Sequence, residues 1–141
     1  FPEVPEDQEN PGETNEGSRG TIQPMPTSVL VVDDHPAFRR SARRLLQAGG
    51  FVVVGEAEDG SSALASVRDT RPDVVLLDVL LPDGSGLAVA AKLAEGSDPP
   101  AVVLTSSRSE RDLGVALQDA PARGFIPKAS FTGARFAELV A

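Results

Sequence analysis

At 141 residues the chain is long enough for one domain with a sizeable core and too short for two ordinary ones. It has no cysteine, which excludes a disulfide framework and a thiolate metal site, and no apolar run approaches the roughly 18 residues of a membrane span. The net charge of −8 is uneven: residues 1–27 carry −5 and residues 28–141 only −3, so there is no basic footprint for nucleic acid.

Residues 1–27 read as a disordered acidic tail, rich in Glu, Pro, Gly and Asn and without periodicity. Met25 is the only methionine and directly precedes the first apolar run, so a natural start at Met25 is expected, with residues 1–24 an addition. A native acidic tail is the other reading. From residue 28 strand and helix alternate five times. Residues 29–32 form a continuous apolar run, as expected of a strand covered on both faces. Pro36 suits the first helical position, and Phe38, Ala42, Leu45 and Leu46 make an apolar stripe that Gly49 and Gly50 end. Residues 51–54 are the second strand, and Ser61 is the expected cap of a helix carrying Ala63, Leu64 and Val67. Pro72 punctuates before the third strand, residues 74–77. A loop with Pro82, Gly84 and Gly86 leads into a helix over 87–94. Residues 101–104 are the fourth strand, 112–118 a helix, 124–126 a short fifth strand and 131–140 the last helix.

Five such units predict an α/β fold: a doubly wound, five-stranded parallel sheet in the flavodoxin-like order 2-1-3-4-5, with five helices. Residues 28–141 would be this one domain. Ligands in such sheets bind beyond the carboxyl ends of the strands at the switch point, here between strands one and three. Those strands end in Asp33 and Asp34 and in Asp78. Three carboxylates that close raise one another's pKa and call for a cation. Thr105 follows the fourth apolar run and Lys128 the fifth. Oxygen ligands suit Mg²⁺, and a carboxylate can itself be a nucleophile that forms an aspartyl phosphate. Phosphoryl transfer then needs mainly positioning and charge neutralisation. Lys128 stands out because the chain has eleven Arg and only two Lys, as though a compact point charge were needed at that strand end.

The segments Val32-Asp33-Asp34-His35-Pro36, Leu76 to Gly86 around Asp78, Leu104-Thr105-Ser106 and Gly124-Phe125-Ile126-Pro127-Lys128 together resemble the receiver domain of two-component response regulators. Steps of 44, 27 and 23 residues separate Asp34, Asp78, Thr105 and Lys128, which fits that family's layout. The resemblance covers residues 28–141 and implies the site roles. Asp78 would accept a phosphoryl group from a sensor histidine kinase or a histidine phosphotransfer protein. Asp33, Asp34, Asp78 and the backbone carbonyl of Leu80 would hold Mg²⁺, and Thr105 and Lys128 would contact the phosphoryl oxygens. Phe125 stands where the family keeps an aromatic switch residue coupled to Thr105. The same resemblance implies a cytoplasmic signalling module, not an enzyme, that signals to a downstream protein or its own output domain through the helix 4–strand 5–helix 5 face. A phosphorylation-dependent homodimer is compatible with it, and direct nucleic-acid or membrane binding is not expected.

Four positions depart from the family pattern. Leu80 and Ser107 carry no acid or amide to orient water against an acyl phosphate. Ala129 replaces a frequent proline after Lys128, where a cis bond would cost roughly 2.5–4 kcal/mol, and Pro121 excludes a left-handed backbone after the fourth helix. His35 reads as a solvated loop or cap residue, and the arginines at 39, 40, 43 and 44 as a solvated helix face, with kinase docking the alternative for Arg39 and Arg43. Two other functions compete. A phosphatase of the haloacid dehalogenase type shares the nucleophilic aspartate and Mg²⁺, but needs an acid where Leu80 stands. A pseudo-receiver that binds partners without phosphorylation would not need Asp78, Thr105 and Lys128 intact.

Overall fold

The computed structural model describes residues 25–141 apart from Val115 and Ala116, with the side chain of Glu110 also excepted. The acidic segment 1–24 lies outside the described residues. Five strands form one parallel sheet: β1 (Ser28–Val32), β2 (Val52–Ala57), β3 (Val74–Asp78), β4 (Ala101–Ser106) and β5 (Gly124–Pro127), in the order β2-β1-β3-β4-β5. This is the predicted doubly wound order, with β1 and β3 adjacent at the point where the winding reverses.

Period-two alternation divides the strands between two cores. Leu30, Val32, Val75, Leu77 and Leu104 face one way, onto Ala63 of helix α2 (Gly60–Thr70) and Val89, Ala90 and Leu93 of helix α3 (Gly86–Ala94). Val29, Val31, Leu76, Val103 and Ile126 face the other, onto Ala42 and Leu46 of helix α1 (Pro36–Ala48) and Phe136 of helix α5 (Gly133–Val140). The central strands are buried on both faces, and so their sequences read as unbroken apolar runs.

Several boundaries differ from the sequence reading, each for a local reason. Strand β2 runs to Ala57 because it pairs along the whole of β1, with a bulge where Val29 faces Val53 but Leu30 faces Gly55. Asp59, not Ser61, caps α2: its carboxylate accepts the Ser62 N–H at 2.8 Å, and the Ser62 hydroxyl faces the Asp59 N–H at 3.3 Å. Ser61 instead offers its backbone N–H to Asp83, which also takes that of Gly60. The last helix begins at Gly133 under a Thr132 cap. Of the fourth helix, expected over 112–118, the described residues show the single turn α4 (Glu110–Leu113), and Val115 and Ala116 lie outside them. Gly114 follows at φ +73°, a left-handed conformation that ends a helix. The Lys128–Ala129 bond is trans, and Lys128–Ser130 form one 3₁₀ turn.

Between β3 and α3, Leu80–Leu81 and Gly84–Ser85 pair as a small antiparallel ladder that folds the loop back on the end of β3. Gly86 closes it by donating to the Val79 carbonyl at 2.7 Å. A Cβ at Gly86 would lie 2.0 Å from the Asp78 carbonyl oxygen, so this approach requires glycine. Gly86→Ala should lower stability by roughly 1–3 kcal/mol in urea unfolding. Gly96→Ala, whose Cβ would meet only Leu93 O at 3.5 Å, should be near neutral.

Candidate functional site

The parallel register delivers the site. Asp33 directly follows β1, Asp78 is the last residue of β3, Thr105 sits opposite Asp78 on β4, and Ile126 sits opposite Thr105 on β5, two residues before Lys128. All four carboxyl ends therefore open on one edge of the sheet. Asp33 and Thr105 are wholly buried and Asp78 is 2% exposed, while Asp34 is half-buried and His35 exposed.

The Lys128 ammonium binds this group together, at 2.7 Å from Asp33 Oδ2 and 3.0 Å from Asp78 Oδ2, with the Phe38 ring 4.9 Å away. Asp33 Oδ1 accepts the His35 backbone N–H at 2.8 Å, and Asp78 Oδ1 accepts that of Leu80 at 3.0 Å, so each buried carboxylate is oriented from its own loop. Thr105 Oγ1 donates to the Ile126 carbonyl at 2.7 Å and is thereby turned toward β5. Phe125, next to it on β5, is half-buried against the core under α2 and α3. Leu80 is 47% exposed at the mouth of the site.

Burial pushes the Asp78 carboxyl above its ordinary range; the Leu80 N–H and Lys128 oppose that shift, and the Asp33 charge adds to it. Burial alone would lower the Lys128 ammonium, but hydrogen bonds and the charges of Asp33 and Asp78 hold it above its ordinary value. Asp33, Asp34, His35 and Asp78 each offer a ligand atom, all within 4.8 Å of one another. Asp33 Oδ2 is buried with the Lys128 ammonium, 2.7 Å away, as its close partner. The donor set itself, three carboxylates and an imidazole at one end of the sheet, fits a divalent cation.

Arg39 and Arg43 are not the solvated face that the helix pattern implies. Both grip Glu56 on β2, at 3.0 and 2.8 Å, and Arg39 also donates to the Asp33 carbonyl at 2.5 Å. Burial would raise the Glu56 carboxyl, but the hydrogen bonds of Arg43 and Arg39 outweigh it and hold it below the usual range. Arg40 and Arg44 are the exposed pair. Sequence reasoning also passed over Asp83, whose link to α2 is tertiary. His35 stands at the N-cap of α1 with its side chain 64% exposed, as a solvated loop or cap residue should, and its Nδ1 also lies against Asp33 and Asp34. Concavities of about 450 and 630 Å³ lie at the opposite end of the sheet, around Pro99 and Pro100.

A switch-point cluster of acids with a lysine just beyond the last strand marks the doubly wound class of α/β domain with a charged site at its strand ends, and the likeness to known proteins gives the family. Residues 29–140 match the response regulator receiver domain, and the chain belongs to that family. It is 45% identical over 107 residues to the response regulator MprA of Mycobacterium sp. strain KMS, which covers 74% of this chain and 45% of that protein. It is 39% identical over 90 residues to a protein-glutamate methylesterase/protein-glutamine glutaminase of Hahella chejuensis, covering 64% of this chain and 26% of that protein. The solved signal receiver domain of NarL from Mycobacterium tuberculosis superposes with a TM-score of 0.76 at 35% identity, over 83% of this chain and 98% of that one. The chain spans about half or less of the curated relatives it matches. Receiver domains are phosphorylation-switched signalling modules of two-component systems. No helix among the described residues is long and apolar enough to cross a membrane.

The electrostatics give signs that unfolding can check without divalent cations. Asp78 is pushed up, so its ionised form disfavours the fold: the penalty is absent below the unfolded value of about 3.9 and complete above the raised folded one. Asp78→Asn should therefore raise stability at neutral pH. Lys128 is held up, so its contribution is complete below the unfolded value of about 10.4 and fades as pH climbs through the folded one. Lys128→Met should flatten that alkaline loss and cost roughly 3–5 kcal/mol at neutral pH, because it strands two buried carboxylates.

Proposed function

We propose that Asp78 is the phosphoacceptor of this receiver, taking its phosphoryl group from a phosphohistidine of a sensor kinase or a histidine phosphotransfer protein. The supporting observation is the buried Asp33–Lys128–Asp78 arrangement: a nucleophilic carboxylate at a strand end, with a cation on one side and an acid pair on the other. Asp33, Asp34, Asp78 and the Leu80 carbonyl would hold Mg²⁺. When bound, the ion neutralises the clustered acids and draws charge from the phosphoryl oxygens.

In the transfer an Asp78 carboxylate oxygen attacks phosphorus, the phosphorus–nitrogen bond to the donor imidazole breaks, and that electron pair returns to the ring nitrogen. The Leu80 N–H keeps the carboxylate oriented during attack. Lys128 trades its contact with Asp78 for the arriving phosphoryl oxygens, which need a point charge more than a planar fork. Thr105 would leave the Ile126 carbonyl for a phosphoryl oxygen, exchanging a neutral hydrogen bond for a charge-assisted one. Phe125 would follow on β5, and the change would reach a downstream protein, an output domain or a second copy through the α4–β5–α5 face.

Exposed Leu80 disfavours the phosphatase alternative, because no acid stands two residues after Asp78 to protonate a leaving alcohol. The decisive experiment incubates the protein with Mg²⁺ and acetyl phosphate and follows intact mass. One phosphoryl group should be gained, only with Mg²⁺, and not by Asp78→Asn. No gain, or turnover of many phosphate esters, would overturn the proposal.

A further inference from the structure

The chain has one histidine, and its ring is drawn into the acidic cluster. His35 Nδ1 lies 3.1 Å from Asp33 Oδ1, 3.1 Å from Asp34 Oδ1 and 3.3 Å from Lys128 Nζ. One ring nitrogen cannot donate to carboxylates and accept from an ammonium at once, so the charge placed among these groups selects its role. A dication there favours the lone pair. The backbone supports the same placement: the His35 N–H is bound to Asp33 Oδ1, and the residue sits in the N-cap position of α1 without using its side chain as a cap. The ring is not committed to the helix. Its outer side is open to solvent, the side chain being 64% exposed, which leaves room for water or a phosphoryl oxygen beside a bound ion.

We propose that His35 Nδ1 is a metal ligand, which makes the acidic cluster a mixed oxygen–nitrogen site that prefers borderline divalent ions such as Mn²⁺ and Ni²⁺ to Mg²⁺. The inference rests on the reading that Asp33, Asp34 and Asp78 hold a cation, and His35 offers its ligand atom within 4.8 Å of one from each of them. A hard ion that keeps its waters gains little from an imidazole. An ion further along the first-row series gains more, since nitrogen donors raise affinity steeply from Mn²⁺ toward Ni²⁺. His35 thus sets which metal the receiver carries, while the carboxylates set that it carries one.

Because no other histidine is present, an untagged protein gives an unambiguous spectroscopic test. Pulsed electron paramagnetic resonance of the Mn²⁺-loaded full chain should show a directly bound imidazole nitrogen, and His35→Asn should lose it. Asparagine retains the N-cap preference and keeps the helix start intact. Calorimetry should show Ni²⁺ affinity falling on the order of tenfold or more in His35→Asn, with a far smaller loss for Mg²⁺. Absence of the nitrogen coupling, or equal losses for both ions, would overturn the proposal. Mg²⁺-dependent phosphorylation of the wild type reports separately on the receiver reading: if it proceeds while the nitrogen signal is missing, only the role of His35 falls.

Discussion

Two carboxylates, Asp33 and Asp78, are held out of water on neighbouring strands, and the Lys128 ammonium makes that arrangement tolerable. Each carboxylate offers an oxygen within 4.8 Å of the other's, and two unit charges at that separation repel by roughly 3–4 kcal/mol at an effective dielectric near 20. That is a large share of the roughly 5–15 kcal/mol by which a domain is stable. The site is therefore a local liability which one side chain from the far end of the sequence offsets. Burial, more than the Asp33 charge, holds the Asp78 carboxyl raised, so Lys128 does not fully offset the cost of ionising it.

The rest of the fold makes the offset possible. Lys128 reaches the acids only because β5 is in register with β4, Thr105 against Ile126, and β4 with β3, Thr105 against Asp78. A slip of one residue would send alternate side chains to the wrong face and break both the core and the ion pairs together. Helix α1 secures the other side of the site. Phe38 lies beside the ammonium, and Arg39 clamps the Asp33 carbonyl while sharing Glu56 with Arg43. These arginines are part of the scaffold of the acidic loop, which leaves Arg40 and Arg44 as the charges that α1 presents outward.

What the sequence made legible follows from the same physics. A strand buried on both faces must be apolar throughout, so β1, β3 and β4 announce themselves and the polar residue that ends each run is conspicuous. Asp33, Asp78 and Thr105 were found in that way. Asp59 was missed as the α2 cap because Ser61 and Ser62 offer equivalent capping chemistry one turn in, and only geometry decides among them. Asp83 was missed because its partners, Gly60 and Ser61, are more than twenty residues away. The length of the fourth helix was misread because one glycine, in the left-handed region, overrides the helical pattern around it. His35 was legible as an exposed residue at a helix start, but an isolated histidine before a proline carries no periodicity to reveal that its Nδ1 lies against Asp33 and Asp34.

The uneven cohesion of the molecule also gives direction to any change at Thr105. On one side its strand is bonded to β3, whose residues are all buried, and the Val79 N–H closes on the Thr105 carbonyl at 2.9 Å. On the other side the chain between β4 and β5 has a four-residue helix, a left-handed glycine and backbone hydrogen bonds of 3.3–3.4 Å at Leu113, Leu117 and Ala120. A rearrangement begun at the Thr105 hydroxyl would have to give up the Ile126 carbonyl at 2.7 Å on β5, while the β3 side stays closed by the Val79 N–H.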